Sequence, residues 1–165
     1  MYENWLAERW STPFSDADTL VMISLVDDGS LQLVLENDHT RWSVRFEHVV
    51  AYRNLLEEYR LELWQRRDEI GSPRGWSWRL TRSDWLDELR EREPLVDTHA
   101  PEAVHYLIAT QDDVVEVFTA EPPIIDEVGS AEDDARIEEE LARLQQREPK
   151  LVDLVRRVLA RNPGS

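Results

Sequence analysis

The chain of 165 residues contains no cysteine, one lysine, five glycines and no long apolar run. Without cysteine there is no disulfide, no thiolate metal ligand and no cysteine nucleophile, which suits a reducing cytoplasm. Five glycines leave no phosphate-cradling loop of the G-x-G-x-x-G or G-x-x-x-x-G-K type. No apolar stretch approaches the roughly 20 residues that span a bilayer. The first residues, MYENWLAERW, lack the basic-then-apolar order of a secretory signal. Four histidines, His39, His48, His99 and His105, form no H-E-x-x-H or H-x-H group, and no G-x-S-x-G elbow occurs. Nothing in the sequence asks for a cofactor.

Negative charge, by contrast, is abundant. The net charge is −16, and of the 19 cations all but Lys150 are arginine. Such a surface repels nucleic-acid phosphates and anionic lipid, and it suits a basic protein partner or serves solubility. Length and composition predict one α+β domain with an appendage.

Hydrophobic alternation predicts a meander of strands at 20–26, 31–35 and 41–46, joined by turns at Asp27–Ser30 and Asn37–Thr40. Trp42, Val44 and Phe46 fall on one face of the third strand, and Arg41, Ser43 and Arg45 on the other. Residues 2–10 have the spacing of a short amphipathic helix. The third strand is expected to give way near Arg53 to a turn or short helix. A short strand at 76–80 follows, then a helix capped by Ser83 and stopped at Glu93-Pro94. VHYLIATQDDVVEVF, Val104 to Phe118, reads as a β-hairpin with its loop at 110–113.

The charge pattern changes after Phe118. Residues 121–140 hold nine acids and one arginine, a net of −8; residues 141–165 hold six bases and two acids, a net of +4. Residues 121–130 are expected to form an acidic, Pro-containing linker. Residues 131–165 are expected to form a helical pair, with Ile137, Leu141 and Leu144 on the first helix and Leu151, Leu154, Val155 and Val158 on the second. These apolar positions are candidates for tail packing or for an oligomer contact. The predicted architecture is therefore a core at 1–120 with a mainly antiparallel sheet of about five to six strands, one or two packed helices and a C-terminal helical extension.

Three sets of residues are candidates for chemistry or recognition. His105, Asp112, Asp113 and Glu116 offer an oxygen-and-imidazole metal or acid–base set, although no ligand spacing is met, and Asp112-Asp113 is equally explained by turn chemistry. Seven tryptophans are present, and Trp76 with Trp78 would share a strand face, as core or as binding surface. Arg41, Arg45 and Arg53 would form a row that holds an anion or pairs with Glu36, Glu47 or Glu116.

The run RWSVRFEHVVAYRNLLEEYRLELW, followed by HYLIATQDDVVEV, resembles a type of small bacterial domain found beside polymorphic toxin genes, where immunity proteins are encoded. The resemblance covers roughly residues 20–118 and implies a fold and a toxin-inhibitor role, with no catalytic residue to carry over. The sequence thus predicts a cytoplasmic, non-enzymatic binding protein with a protein partner such as a basic toxin domain, and with neither nucleic acid nor membrane as ligand. Its partner-binding candidates are Trp76, Trp78, Arg41, Arg45, Arg53, Asp112, Asp113 and Glu116. The alternatives are an enzyme using His105, Asp112, Asp113 or Glu116, or a regulatory subunit that oligomerises through its C-terminal helices.

Overall fold

A computed structural model describes residues 6–69, 71 and 74–147. The chain divides into two units, residues 1–128 and 129–165. Among the described residues no helix is long and apolar enough to cross a membrane.

The first unit is mixed α and β, built on two sheets. Strands β1 (Leu6–Arg9), β6 (Ser77–Arg82), β7 (Val104–Ala109), β8 (Asp113–Thr119) and β5 (Val49–Leu56) lie side by side in that order. Strands β2 (Val21–Asp27), β3 (Leu31–Glu36), β4 (Arg41–Phe46) and β9 (Ile124–Gly129) form the second sheet. The pairs β1–β6, β6–β7, β7–β8, β8–β5, β2–β3 and β3–β4 are antiparallel. A single 3-10 turn at Glu57–Arg60 leads from β5 into α1 (Leu61–Glu69). Helices α2 (Asp84–Arg92) and α3 (Leu95–His99) lie between β6 and β7.

The alternation read from the sequence sets the packing. Leu31, Leu33 and Leu35 of β3 and Trp42, Val44 and Phe46 of β4 are buried together with Tyr106, Ile108, Val115 and Val117 of the five-stranded sheet. These residues are the filling of a two-sheet sandwich. The opposite face of the five-stranded sheet carries Trp78, Leu80, Leu107, Ala109 and Val114, which pack with Leu63 of α1. This sheet is therefore apolar on both faces, and β7 and β8 are buried almost throughout.

Several expectations need correction. The strands divide into two sheets, where one was expected, because the two-residue link Glu47-His48 carries the chain from β4 in one sheet to β5 in the other. Residues 6–9, expected in a helix, form edge strand β1, since pairing with β6 outweighs their local periodicity; residues 2–5 lie outside the described set. Glu93-Pro94 does end α2, but α3 starts directly behind it, with proline suited to a helix start. Within the expected linker, Ile124–Gly129 forms β9 beside β4. In the β7–β8 loop the Thr110 hydroxyl, and no aspartate side chain, accepts the Asp113 N–H at 3.0 Å.

The second unit contains α4 (Ala131–Arg147). Ser130 caps it: its hydroxyl accepts the Asp133 N–H at 3.1 Å and donates to the Asp133 carboxylate at 3.0 Å. On α4 Ile137 is exposed and Leu141 is buried. The side chain of Leu144, and Leu151, Leu154, Val155 and Val158 entirely, lie outside the described residues.

Candidate functional site

The helix-covered face of the five-stranded sheet holds one buried group of polar residues. Glu116 of β8 lies opposite Arg53 of β5 and Leu107 of β7, while His105 of β7 lies opposite Phe118. Alternation places Arg53, His105 and Glu116 on the same side of the sheet. The Arg53 guanidinium donates Nε to Glu116 Oε1 at 3.0 Å and Nη2 to Oε2 at 2.8 Å. This two-pronged geometry is specific to arginine. His105 Nε2 stands 3.1 Å from Glu116 Oε2. On the far side of the ring, His105 Nδ1 lies 2.7 Å from the Ser83 hydroxyl. Ser83 in turn accepts the Leu86 N–H at 3.1 Å as the cap of α2.

These four side chains make one continuous path from a helix cap to an edge strand. A carboxylate against Nε2 places a ring proton on that nitrogen; in the neutral ring Nδ1 then accepts the Ser83 O–H, and in the protonated ring it donates to the Ser83 oxygen. Trp85 closes the group from above. Its ring sits 3.9 Å over the Arg53 guanidinium and 4.2 Å, centroid to centroid, from Phe118, which meets His105 edge-on at 4.5 Å.

Electrostatics explains why a carboxylate is tolerated here. Glu116 is 0% exposed, and burial alone would raise its pKa. The hydrogen bonds from His105 and Arg53, with the charge of Arg53 and that of protonated His105, outweigh that burial and hold the pKa at about 2. Glu116 is thus an anion with its partners built in. Tyr106, on the sandwich side of the same sheet, has its pKa raised by burial, against a smaller opposing pull from Arg79.

Serine, histidine and glutamate in a row are also the groups of acyl-transfer chemistry. Here the Ser83 oxygen is occupied by a helix N–H and the residue is 6% exposed; His105 is 1% exposed. Glu116 gives its charge to Arg53. The arrangement ties β5, β7, β8 and the start of α2 together, so its geometry is that of a scaffold.

Of the metal or acid–base candidates, the structure brings His105 and Glu116 together and leaves Asp112 and Asp113 elsewhere. The Asp112 carbonyl accepts the Glu57 N–H at 2.8 Å, and Asp113 accepts from Asn54 at 3.1 Å. Among the described residues no group of three or more His, Asp or Glu side chains is placed to hold a metal ion.

The recognition candidates also scatter. Arg41 and Arg45 are on β4 and Arg53 is on β5 in the other sheet, so the three form no row. Each instead meets one of the acids expected for it. Arg41 Nε donates to Glu36 at 2.7 Å, Arg45 pairs with Glu47 at 2.8 Å, and Arg53 pairs with Glu116. Trp78, 2% exposed, and Glu116 are buried, and Arg53, 19% exposed at its side chain, pairs with Glu116. Trp76 is half-buried and donates its indole N–H to the Ala17 carbonyl at 2.6 Å. It lines an open cavity of about 720 Å³ with Trp64, Arg67, Arg74, Asp16 and Glu57.

Ser83 and Trp85 belong to the buried group, and of the two the sequence marks Ser83, as a helix cap. Their link to Glu116 depends on where α2 lands on the sheet, which no local signal encodes. No family model, curated protein or solved structure matches this chain.

Proposed function

We propose that this chain is a non-enzymatic, acidic protein-binding module, in concrete form an immunity-type inhibitor of a basic toxin. One observation supports this reading above others: among the described residues Glu116 is the only buried carboxylate. The other carboxylates among the described residues are therefore at least partly open to solvent, in a chain whose net charge is −16. A field of that sign attracts a basic partner over about one Debye length, roughly 8–10 Å at physiological salt, and raises the rate of encounter. Toxins that act on nucleic acid need cationic clefts for phosphate, and such a cleft is the kind of surface an acidic inhibitor answers.

The test is capture by the immobilised full chain from the cells it comes from, at low salt, followed by stopped-flow association with the purified captured protein. The expected result is a stoichiometric basic partner whose toxic activity the chain suppresses. Its association rate should fall by about tenfold or more between low and high ionic strength. A partner whose association is indifferent to salt, or failure to retain any basic protein, would overturn the proposal.

A further inference from the structure

β5 is an unusual edge. Among the described residues it is the last strand of its sheet and pairs with β8 alone. It runs for eight residues, VVAYRNLL. Edge strands are commonly blunted by lysine, proline, inward charge or short length. β5 has neither lysine nor proline, and its one charge, Arg53, is held by Glu116. A register irregularity between Val49 and Ala51 is its only break; Tyr52 to Leu56 pair regularly with β8.

Beside this edge lies a groove of about 920 Å³. Val49, Val50 and Tyr52 of β5 form one side of it, and Leu89, Leu95 and Val96 of α2 and α3 form another. Leu95 is 65% exposed and Leu55 and Leu56, further along the strand, are exposed too. Asp27, Glu47 and Glu93 stand around the same groove. The cavity at Trp76, by comparison, carries two acids and two arginines, whose charges cancel.

We infer that the free edge of β5 and its groove take up an extended, lysine- or arginine-bearing segment of another protein as an additional strand. Main-chain hydrogen bonds to β5 would supply affinity. Alternate apolar side chains would enter the groove, and the intervening cations would meet Asp27 and Glu93, while Glu47 already pairs with Arg45. A second copy of the chain fits less well, because two bodies of charge −16 repel each other. This inference rests on the acidic-binder reading and specifies its surface.

The experiment uses the full chain with the peptide Ac-(Lys-Val)4-NH2 as probe. Ac-(Glu-Val)4-NH2 and a (Lys-Val)4 peptide N-methylated at every residue serve as controls, with amide hydrogen exchange as the readout. The expected result is binding of the lysine peptide alone, with exchange at residues 49–56 slowed about tenfold or more, equivalent to about 1.4 kcal/mol. N-methylation removes strand pairing while keeping the charge, so it should abolish that protection. The exposed double variant E93K/L95K should bind the peptide about tenfold more weakly. Protection elsewhere on the chain, or equal binding of the N-methylated peptide, would overturn the edge-strand site while leaving the acidic-binder reading standing. Equal or absent binding of both charge types would overturn both. Self-association through residues 49–56 without peptide uptake would assign the edge to a second copy and overturn the site.

Discussion

Arg53 and Glu116 face each other across the β5–β8 ladder, and the guanidinium holds both carboxylate oxygens, at 3.0 and 2.8 Å. The pair bridges an edge strand and a central strand, with His105 against the carboxylate and the Trp85 ring over the guanidinium. Removing one partner leaves the other charge stranded under Trp85. R53M is therefore expected to cost about 3–5 kcal/mol. The double variant R53M/E116L, apolar at both positions, should recover most of that loss, since a buried pair and a well-packed apolar pair are often close in stability. Urea denaturation of the two singles and the double gives the coupling directly. A single-variant cost below about 0.5 kcal/mol would place the pair with surface ion pairs.

The same carboxylate sets an acid limit on stability. Glu116 has a pKa of about 2 in the folded chain, against about 4.5 when exposed. A depressed folded pKa favours the folded state fully above the higher value, and the benefit is lost as pH falls toward the lower one. The gap corresponds to about 3 kcal/mol. Between pH 4.5 and pH 2 the native chain should lose stability more steeply than E116Q, which has no group to protonate there. Above pH 5 the two curves should run parallel. Thermal melts of both proteins across this range check it, and parallel curves below pH 4.5 would contradict it.

Local signals carried much of the fold. The meander β2–β3–β4 follows from two-residue alternation interrupted by turn residues. In its turns Gly29 takes φ 107°, and the Asn37 side chain accepts the His39 and Thr40 N–H groups. The β7–β8 hairpin and the Ser83 cap have the same local character. What failed was long-range. β1 pairs with β6 about seventy residues away, β5 joins a different sheet from β4, and β9, within a stretch that has the composition of a linker, returns to β4. The site divides in the same way. His105 and Glu116 approach because a hairpin brings them together, which the sequence allows one to foresee. Choosing Glu116 for Arg53 among several acids, and placing Ser83 behind His105, both require the register of non-adjacent strands.

Trp78 and Arg45 were candidates of the same kind, and the fold separates them. Trp78 is packed against Leu63, Leu80 and Leu107, with Trp64 at 6.0 Å between ring centroids. W78A should cost about 3–5 kcal/mol through the cavity it leaves. Arg45 is exposed, and its partner Glu47 is exposed as well. R45A should stay within about 0.5 kcal/mol of the native chain. Denaturation midpoints of the two variants decide this, and a tolerated W78A would contradict the core assignment.

Two serines do the same work at helix starts in different surroundings. Ser83 and Ser130 each accept the N–H of the residue three positions on, at 3.1 Å in both cases. Behind Ser83 stands a buried imidazole nitrogen hydrogen-bonded to its hydroxyl; Ser130 instead donates to the Asp133 carboxylate, close to solvent. S130A should remove only a cap, at about 1 kcal/mol. S83A should remove the cap and also leave His105 Nδ1 buried without its Ser83 partner, which adds about 1–3 kcal/mol. Denaturation followed by far-UV circular dichroism, which reports on both helices, measures the two costs. The excess of S83A over S130A is then the stability carried by the Ser83–His105 contact. Equal costs would mean that His105 gains nothing from Ser83, and the buried path would reduce to the Arg53–Glu116 pair with a histidine beside it.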